Sequence, residues 1–261
     1  MESVNRRTVR EINQGEIREK EDSLLVELPL TLEVNGEEFV TMLCTPTNLD
    51  DLVLGFLFSE GLADGADDLA ELEIDEQEGR VRVTTRRRHE LAAKLYGKRT
   101  LTTGCGRGTI FYHVTDALKT HRVESDLRLS AGTILAALKG WGEKAELFAK
   151  TGCPHSAALL TAEGGILCLA EDAGRHNAVD KVIGRSLREG WSRRDKCLAT
   201  TGRISSEILI KVAKADIPVV VSRSAATDLA VALAQELGIT AAGFARGRRL
   251  NVYTHPERIL P

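Results

Sequence analysis

The stretch CLATTGRISSEILIKVAKADIPVVVS, residues 197–222, decides the fold. Its two ends, 197–201 and 218–222, are short apolar runs of strand length. Between them, residues 205–215 place apolar side chains at helical spacing behind Ser205, a suitable cap. The rhythm continues with a helix over 226–237 and a strand over 239–245. Upstream, 177–187 reads as a helix, and 157–160 and 166–169 flank Glu163-Gly164-Gly165 as a hairpin. Before that, Ser130 can cap a helix reaching about residue 148, with Leu135, Leu138, Trp141 and Leu147 on its apolar face. Short apolar strands alternating with helices imply a largely parallel sheet covered on both faces over residues 130–261.

The N-terminal half has a different texture. Residues 1–22 are charged and are expected to be loose. From 23 to 44 the apolar residues Leu24, Val26, Leu28 and Leu30 alternate, Asn35-Gly36 supplies a turn, and Phe39, Thr41 and Leu43 resume the pattern. Asn48 is expected to cap the next helix, Gly61 to end it, and 69–74 with 81–85 to form a second hairpin. Residues 23–104 are therefore read as a smaller α+β region, and 105–129 as a flexible loop and linker.

Composition narrows the function classes. The 261 residues are 43% hydrophobic and 28% charged, as in an ordinary globular protein with a sizeable core. A net charge of −3 and 4% aromatics argue against a nucleic-acid or anionic-membrane binder. There is no apolar run of membrane-spanning length and no apolar leader, so a cytoplasmic location is expected. Five widely spaced cysteines do not suggest a disulfide framework.

Chemistry concentrates in two places. In Gly104-Cys105-Gly106-Arg107-Gly108, glycines strip cover from one thiol, and Lys98, Arg99 and Arg107 supply the positive charge that favours thiolate. The second place is a set of polar segments that the topology puts in loops: 151–155, 171–177, 200–206 and 222–227. These offer hydroxyls, amides at helix starts and arginines, which suit a large phosphorylated ligand at one end of the sheet. Arg246, Arg248 and Arg249 can add forked phosphate contacts, and Phe244 can pack on a flat ring. His176 is placed to orient Asp172 or meet a ligand, and a buried role suits Cys153. A zinc site of Cys153, His155 and His176 is the weaker reading, because no CxxC pair or HxE motif accompanies them.

The segments 151–158, 171–181, 202–224 and 243–258 together closely resemble the formate dehydrogenase accessory family, the FdhD/NarQ sulfurtransferases. The resemblance implies a homodimeric cytoplasmic sulfur carrier whose C-terminal part is a three-layer α/β/α domain similar to cytidine deaminase. It implies that sulfur comes from a cysteine desulfurase as a persulfide and passes to the bis(molybdopterin guanine dinucleotide) molybdenum cofactor before the cofactor enters formate dehydrogenase. By the same resemblance the acceptor is Cys105, and Phe244, Ala245, Arg246, Gly247, Arg248 and Arg249 hold the cofactor. Its phosphates are expected at the helix starts after Asp172, Gly202 and Ser224. The family usually carries a second loop cysteine where this chain has Gly108. Two readings stay open: a carrier that releases sulfur with an outside thiol, or a non-catalytic chaperone for the cofactor. Kinship with deaminases does not imply deamination.

Overall fold

The computed structural model of the chain describes residues 1–86, 99–101 and 122–261. The charged N-terminus, expected to be loose, forms a hairpin. β1 (Val4–Asn13) and β2 (Glu16–Leu25) pair along their whole length around Gln14-Gly15. Cross-strand polar contacts stand in for an apolar face: Thr8 Oγ1 donates to Glu21 at 3.0 Å, and Glu11 takes Lys20 at 2.8 Å together with Arg18. The strands of this hairpin lack the apolar–polar alternation that marks a half-buried strand in sequence.

β3 (Leu28–Val34) and β4 (Glu37–Cys44) turn at Asn35-Gly36, both at positive φ. α1 (Leu49–Glu60) follows and Gly61 closes it at φ 77°. Asn48 stands at the start of α1 but in the left-handed region, and its side chain caps nothing. β5 (Leu69–Asp75) and β6 (Arg80–Thr85) form the second hairpin, and β7 (Arg99–Leu101) lies parallel to β4. The five-stranded sheet runs β5-β6-β3-β4-β7, with Leu30, Leu32, Val81, Leu52 and Leu57 buried between it and α1.

Within 122–129, expected as part of a flexible linker, alternate residues are packed: Val123 is 2% exposed in the core of the second half, and Leu129 is 1% exposed. β8 (Leu129–Ser130) leads into α2 (Ala131–Lys144), whose first turn Ser130 caps by accepting from Thr133 N. α3 (Glu146–Thr151), β9 (His155–Leu160), β10 (Ile166–Asp172) and α4 (Arg175–Arg188) come next. Then follow β11 (Cys197–Thr200), α5 (Ser206–Lys214), β12 (Val219–Ser222), α6 (Asp228–Leu237), β13 (Thr240–Arg246), β14 (Arg249–Val252) and the short β15 (Ile259–Leu260).

The larger sheet runs β10-β9-β11-β12-β13-β14. It is mixed rather than largely parallel: only β11, β12 and β13 are mutually parallel. Tight turns at Gly164 and Gly247, at φ 82° and 63°, send the chain straight back and make both flanks antiparallel. α4, α5 and α6 cover one face through Val179, Ile183, Leu209, Val212 and Ala234. α2 covers the other through Ile134, Leu138 and Trp141, completing the three-layer α/β/α arrangement. No helix among the described residues is long and apolar enough to cross a membrane.

The two halves meet where α1 crosses α4. A Cβ on Gly55 would lie 1.9 Å from Asp180 O, and one on Gly184 would lie 1.9 Å from Asp51 O, so only glycine fits at either position. Gly184→Ala should lower stability by about 3 kcal/mol or more, because backbone on the facing helix cannot yield as a side chain would. Gly140→Ala, inside α2 with nothing within 4 Å of the added carbon, should raise it by roughly 0.5–1 kcal/mol. Urea unfolding of both variants beside wild type checks the pair.

Candidate functional site

The C-terminal ends of β11, β12 and β13 lie side by side, and the loops beyond them are bonded to one another. Gly202 N donates to Thr200 Oγ1 at 3.1 Å, Ser222 Oγ donates to Gly202 O at 2.6 Å, and Ser224 N donates to Ser222 Oγ at 2.8 Å. Phe244 N then donates to Ser224 O at 2.8 Å. On the other side, Ser156 N donates to Thr201 Oγ1 at 2.9 Å. Ser205 and Thr227 cap α5 and α6, accepting from Ile208 N and Ala230 N. The four polar segments do converge on one edge, but most of their hydroxyls brace the edge itself. What the edge presents outward is arginine: Arg203 and Arg223 are exposed, and half-buried Arg175 lies over Gly202.

At one end of this row, β13 and β14 carry the expected cofactor segment. Phe244 sits at φ 53°, an uncommon conformation for a bulky residue, held by its bond to Ser224. The Arg246 guanidinium lies 5.9 Å from the Phe244 ring centre, within cation–π range. Arg246, Gly247, Arg248 and Arg249 are exposed at the turn. Ala245 is 0% exposed and its side chain belongs to the core beneath α2.

At the other end, the 171–181 segment serves the interior. Glu171 accepts from Leu147 N and Phe148 N, both at 2.8 Å, and so holds the start of α3. Asp172 Oδ1 accepts from Gly174 N at 2.8 Å and Asn177 Nδ2 at 2.9 Å, and its Oδ2 accepts from Thr45 N at 3.0 Å. Oδ2 also pairs with Lys181 Nζ at 2.7 Å, both side chains being 0% exposed. Lys181 donates further to Thr45 O and Glu171 O, each at 3.1 Å. Such a pair tolerates burial only because every partner is bonded. Asp172 is therefore oriented by Asn177, Thr45 and Lys181, not by His176, and it has no oxygen left for a ligand.

A family model described as the FdhD/NarQ family matches residues 25–260. The chain belongs to the FdhD/NarQ family. It is 44% identical over 253 residues to the protein named "Sulfur carrier protein FdhD" of Bacillus subtilis, covering 97% of this chain and 96% of the relative. It is 42% identical over 261 residues to the protein of the same name in Listeria innocua, covering 99% and 100%. A crystal structure titled as a putative formate dehydrogenase accessory protein from Desulfotalea psychrophila superposes with a TM-score of 0.81 at 26% identity, covering 99% of this chain and 100% of that one.

The proposed acceptor Cys105, with Gly104, Gly106, Arg107 and Gly108, lies outside the described residues. β7 ends four residues before it in sequence, paired beside Met42 of β4. Cys44 and Cys197 are buried, and burial pushes their thiols up to about 12. Burial likewise raises Cys168 to about 11. These three are thiols, not thiolates, at neutral pH. Cys153, expected to be buried, is exposed. Among the described residues no three His, Cys, Asp or Glu side chains are grouped to hold a metal.

Both imidazoles at the edge are neutral. Burial, helped by Lys211, Arg175 and His155, drives His176 down to about 3, and its Nε2 lies 3.4 Å from Glu207 Oε2. Burial also lowers His155, with Arg175 adding to the effect. Reading by motif missed Thr45 and the Lys181 clamp. The available signal was a lysine and an aspartate, Lys181 and Asp180, inside the apolar helix at 177–187.

The His176 shift has a defined sign. Between its ordinary 6.5 and about 3, the unfolded chain binds a proton that the folded one refuses. Stability on this account is intact above 6.5 and falls as the pH drops toward 3. His176→Gln should make the acid limb shallower by up to about 1.4 kcal/mol per pH unit across that window. Urea midpoints measured against pH for both proteins check it.

Proposed function

We propose that this chain is a sulfur carrier for formate dehydrogenase. The observation that carries the reading is the likeness to proteins named as sulfur carriers, which runs over 97% of the chain or more. The arginine-rich edge supports it, because an exposed row from Arg203 to Arg249 suits the phosphates of a guanine dinucleotide.

In the proposed mechanism Cys105 thiolate attacks the outer sulfur of a cysteine desulfurase persulfide. The sulfur–sulfur bond on the desulfurase breaks, its cysteine leaves as thiolate, and Cys105 carries the persulfide. The substrate, the bis(molybdopterin guanine dinucleotide) form of the molybdenum cofactor, binds along Phe244, Arg246, Arg248 and Arg249. Arg175, Arg203 and the starts of α5 and α6 contribute positive potential to its phosphates. Gly108 replaces the second loop cysteine, so an outside thiol attacks the inner sulfur of Cys105. The terminal sulfur leaves as hydrosulfide to the molybdenum, and Cys105 remains as a mixed disulfide that a second thiol reduces. The working unit is a cytoplasmic homodimer that meets the desulfurase and the catalytic subunit of formate dehydrogenase in turn.

The same glycine favours one rival, a chaperone that holds the cofactor without carrying sulfur. Cys105→Ala separates them: formate dehydrogenase maturation should fall to background for a carrier and stay near wild type for a chaperone. Mass spectrometry after incubation with desulfurase and cysteine should show one added sulfur on Cys105, and its absence under active conditions refutes the carrier. Replacing Arg246 and Arg249 together by alanine should weaken GDP binding at least tenfold by calorimetry, and unchanged affinity removes the arginine clamp.

A further inference from the structure

Thr45, at the end of β4, is held from the C-terminal half on every side. Its N–H donates to Asp172 Oδ2, its carbonyl accepts from Lys181 Nζ, and its hydroxyl accepts from Ala173 N at 3.0 Å. Two residues earlier, Leu43 O accepts from Asn177 Nδ2 at 2.8 Å. Asn177 thus bonds β4 and Asp172 with one amide group. β4 is the strand that carries β7, through Val40–Arg99, Thr41–Thr100 and Met42–Leu101. The chain leaves β7 four residues ahead of Cys105 in sequence.

On its other side the clamp joins the ligand edge. Asp172 holds the amide of Gly174, and the next residue, Arg175, packs its stem on Gly202. From Gly202 the hydrogen bonds run through Ser222 and Ser224 to Phe244. One buried cluster therefore fixes both the strand that launches the Cys105 segment and the edge that carries the arginines.

We propose that Asp172, Lys181 and Asn177 are positioning residues for sulfur delivery: they set where the Cys105-bearing segment starts relative to the bound nucleotide. This rests on the carrier reading above. Loading of Cys105 by a separate desulfurase does not need that register. Delivery to a cofactor held on the same chain does, because the strand that precedes Cys105 and the edge that holds the cofactor are the two points the transfer must join.

The test measures two quantities on the full chain. One is sulfur loaded on Cys105, by mass spectrometry. The other is formate dehydrogenase activity gained per sulfur loaded. Asp172→Asn leaves Lys181 buried without its counter-charge and can unfold the protein. Asn177→Ala removes the link to Leu43 without stranding a charge, so it is the deciding variant. Its loading and its affinity for GDP should stay within twofold of wild type, while activity gained per sulfur falls at least fivefold. Activity per sulfur that falls less than fivefold overturns the proposal. So does a loss of loading in proportion, which is what simple destabilisation produces. Wild-type protein that takes up no sulfur refutes the carrier reading itself, and is seen before any variant is made.

Discussion

Everything in this molecule turns on how closely α1 approaches α4. With Gly55 and Gly184 at the crossing, backbone meets backbone with no side chain between. That contact brings Ser59 within 2.8 Å of Asp180, which Lys211 pairs at 2.7 Å, and it lets Arg188 reach Asp51 at 2.9 Å. Any larger residue would pry the helices apart and leave those buried charges facing gaps. Charges in such surroundings stay ionised only while their partners are in place, so the glycines protect the electrostatics as much as the packing.

The arginine-bearing edge follows a complementary logic. Its hydroxyls and amides bond one another, its imidazoles are neutral, and its mobile charge is exposed arginine. Bracing holds the floor still and leaves the long guanidinium side chains as the outward charge of the edge. The positive φ of Phe244 belongs to the same design, since its bond to Ser224 turns the strand end toward the arginine turn.

Most of the fold was legible because it is written in local pattern. The caps Ser130 and Ser205 and the strand–helix–strand run at 197–222 stand as read, and the alternation read from 23 to 44 holds from Leu28 onward, while Leu24 belongs to β2 of the first hairpin. What escaped was non-local. The charged N-terminal hairpin is held by pairs across its strands, and the sheet is mixed in part because β9 runs antiparallel to β11, a pairing across about forty residues that no turn sets. The site divides in the same way. The arginine row could be read from composition along the chain, whereas Asp172 and Lys181 are bonded to Thr45, more than a hundred residues away. A polar motif at a helix start looks the same in sequence whether it faces a ligand or the interior.

The edge strand β10 has one more consequence. Between Ile166 and Cys168 its register slips, leaving Leu167 as an extra, bulged residue, 37% exposed. The opposite border, β14, spans only four residues. A bulge on one margin and a stub on the other deny an incoming chain the long, flat ladder it would need to extend the sheet. Growth of this sheet strand upon strand is thereby discouraged.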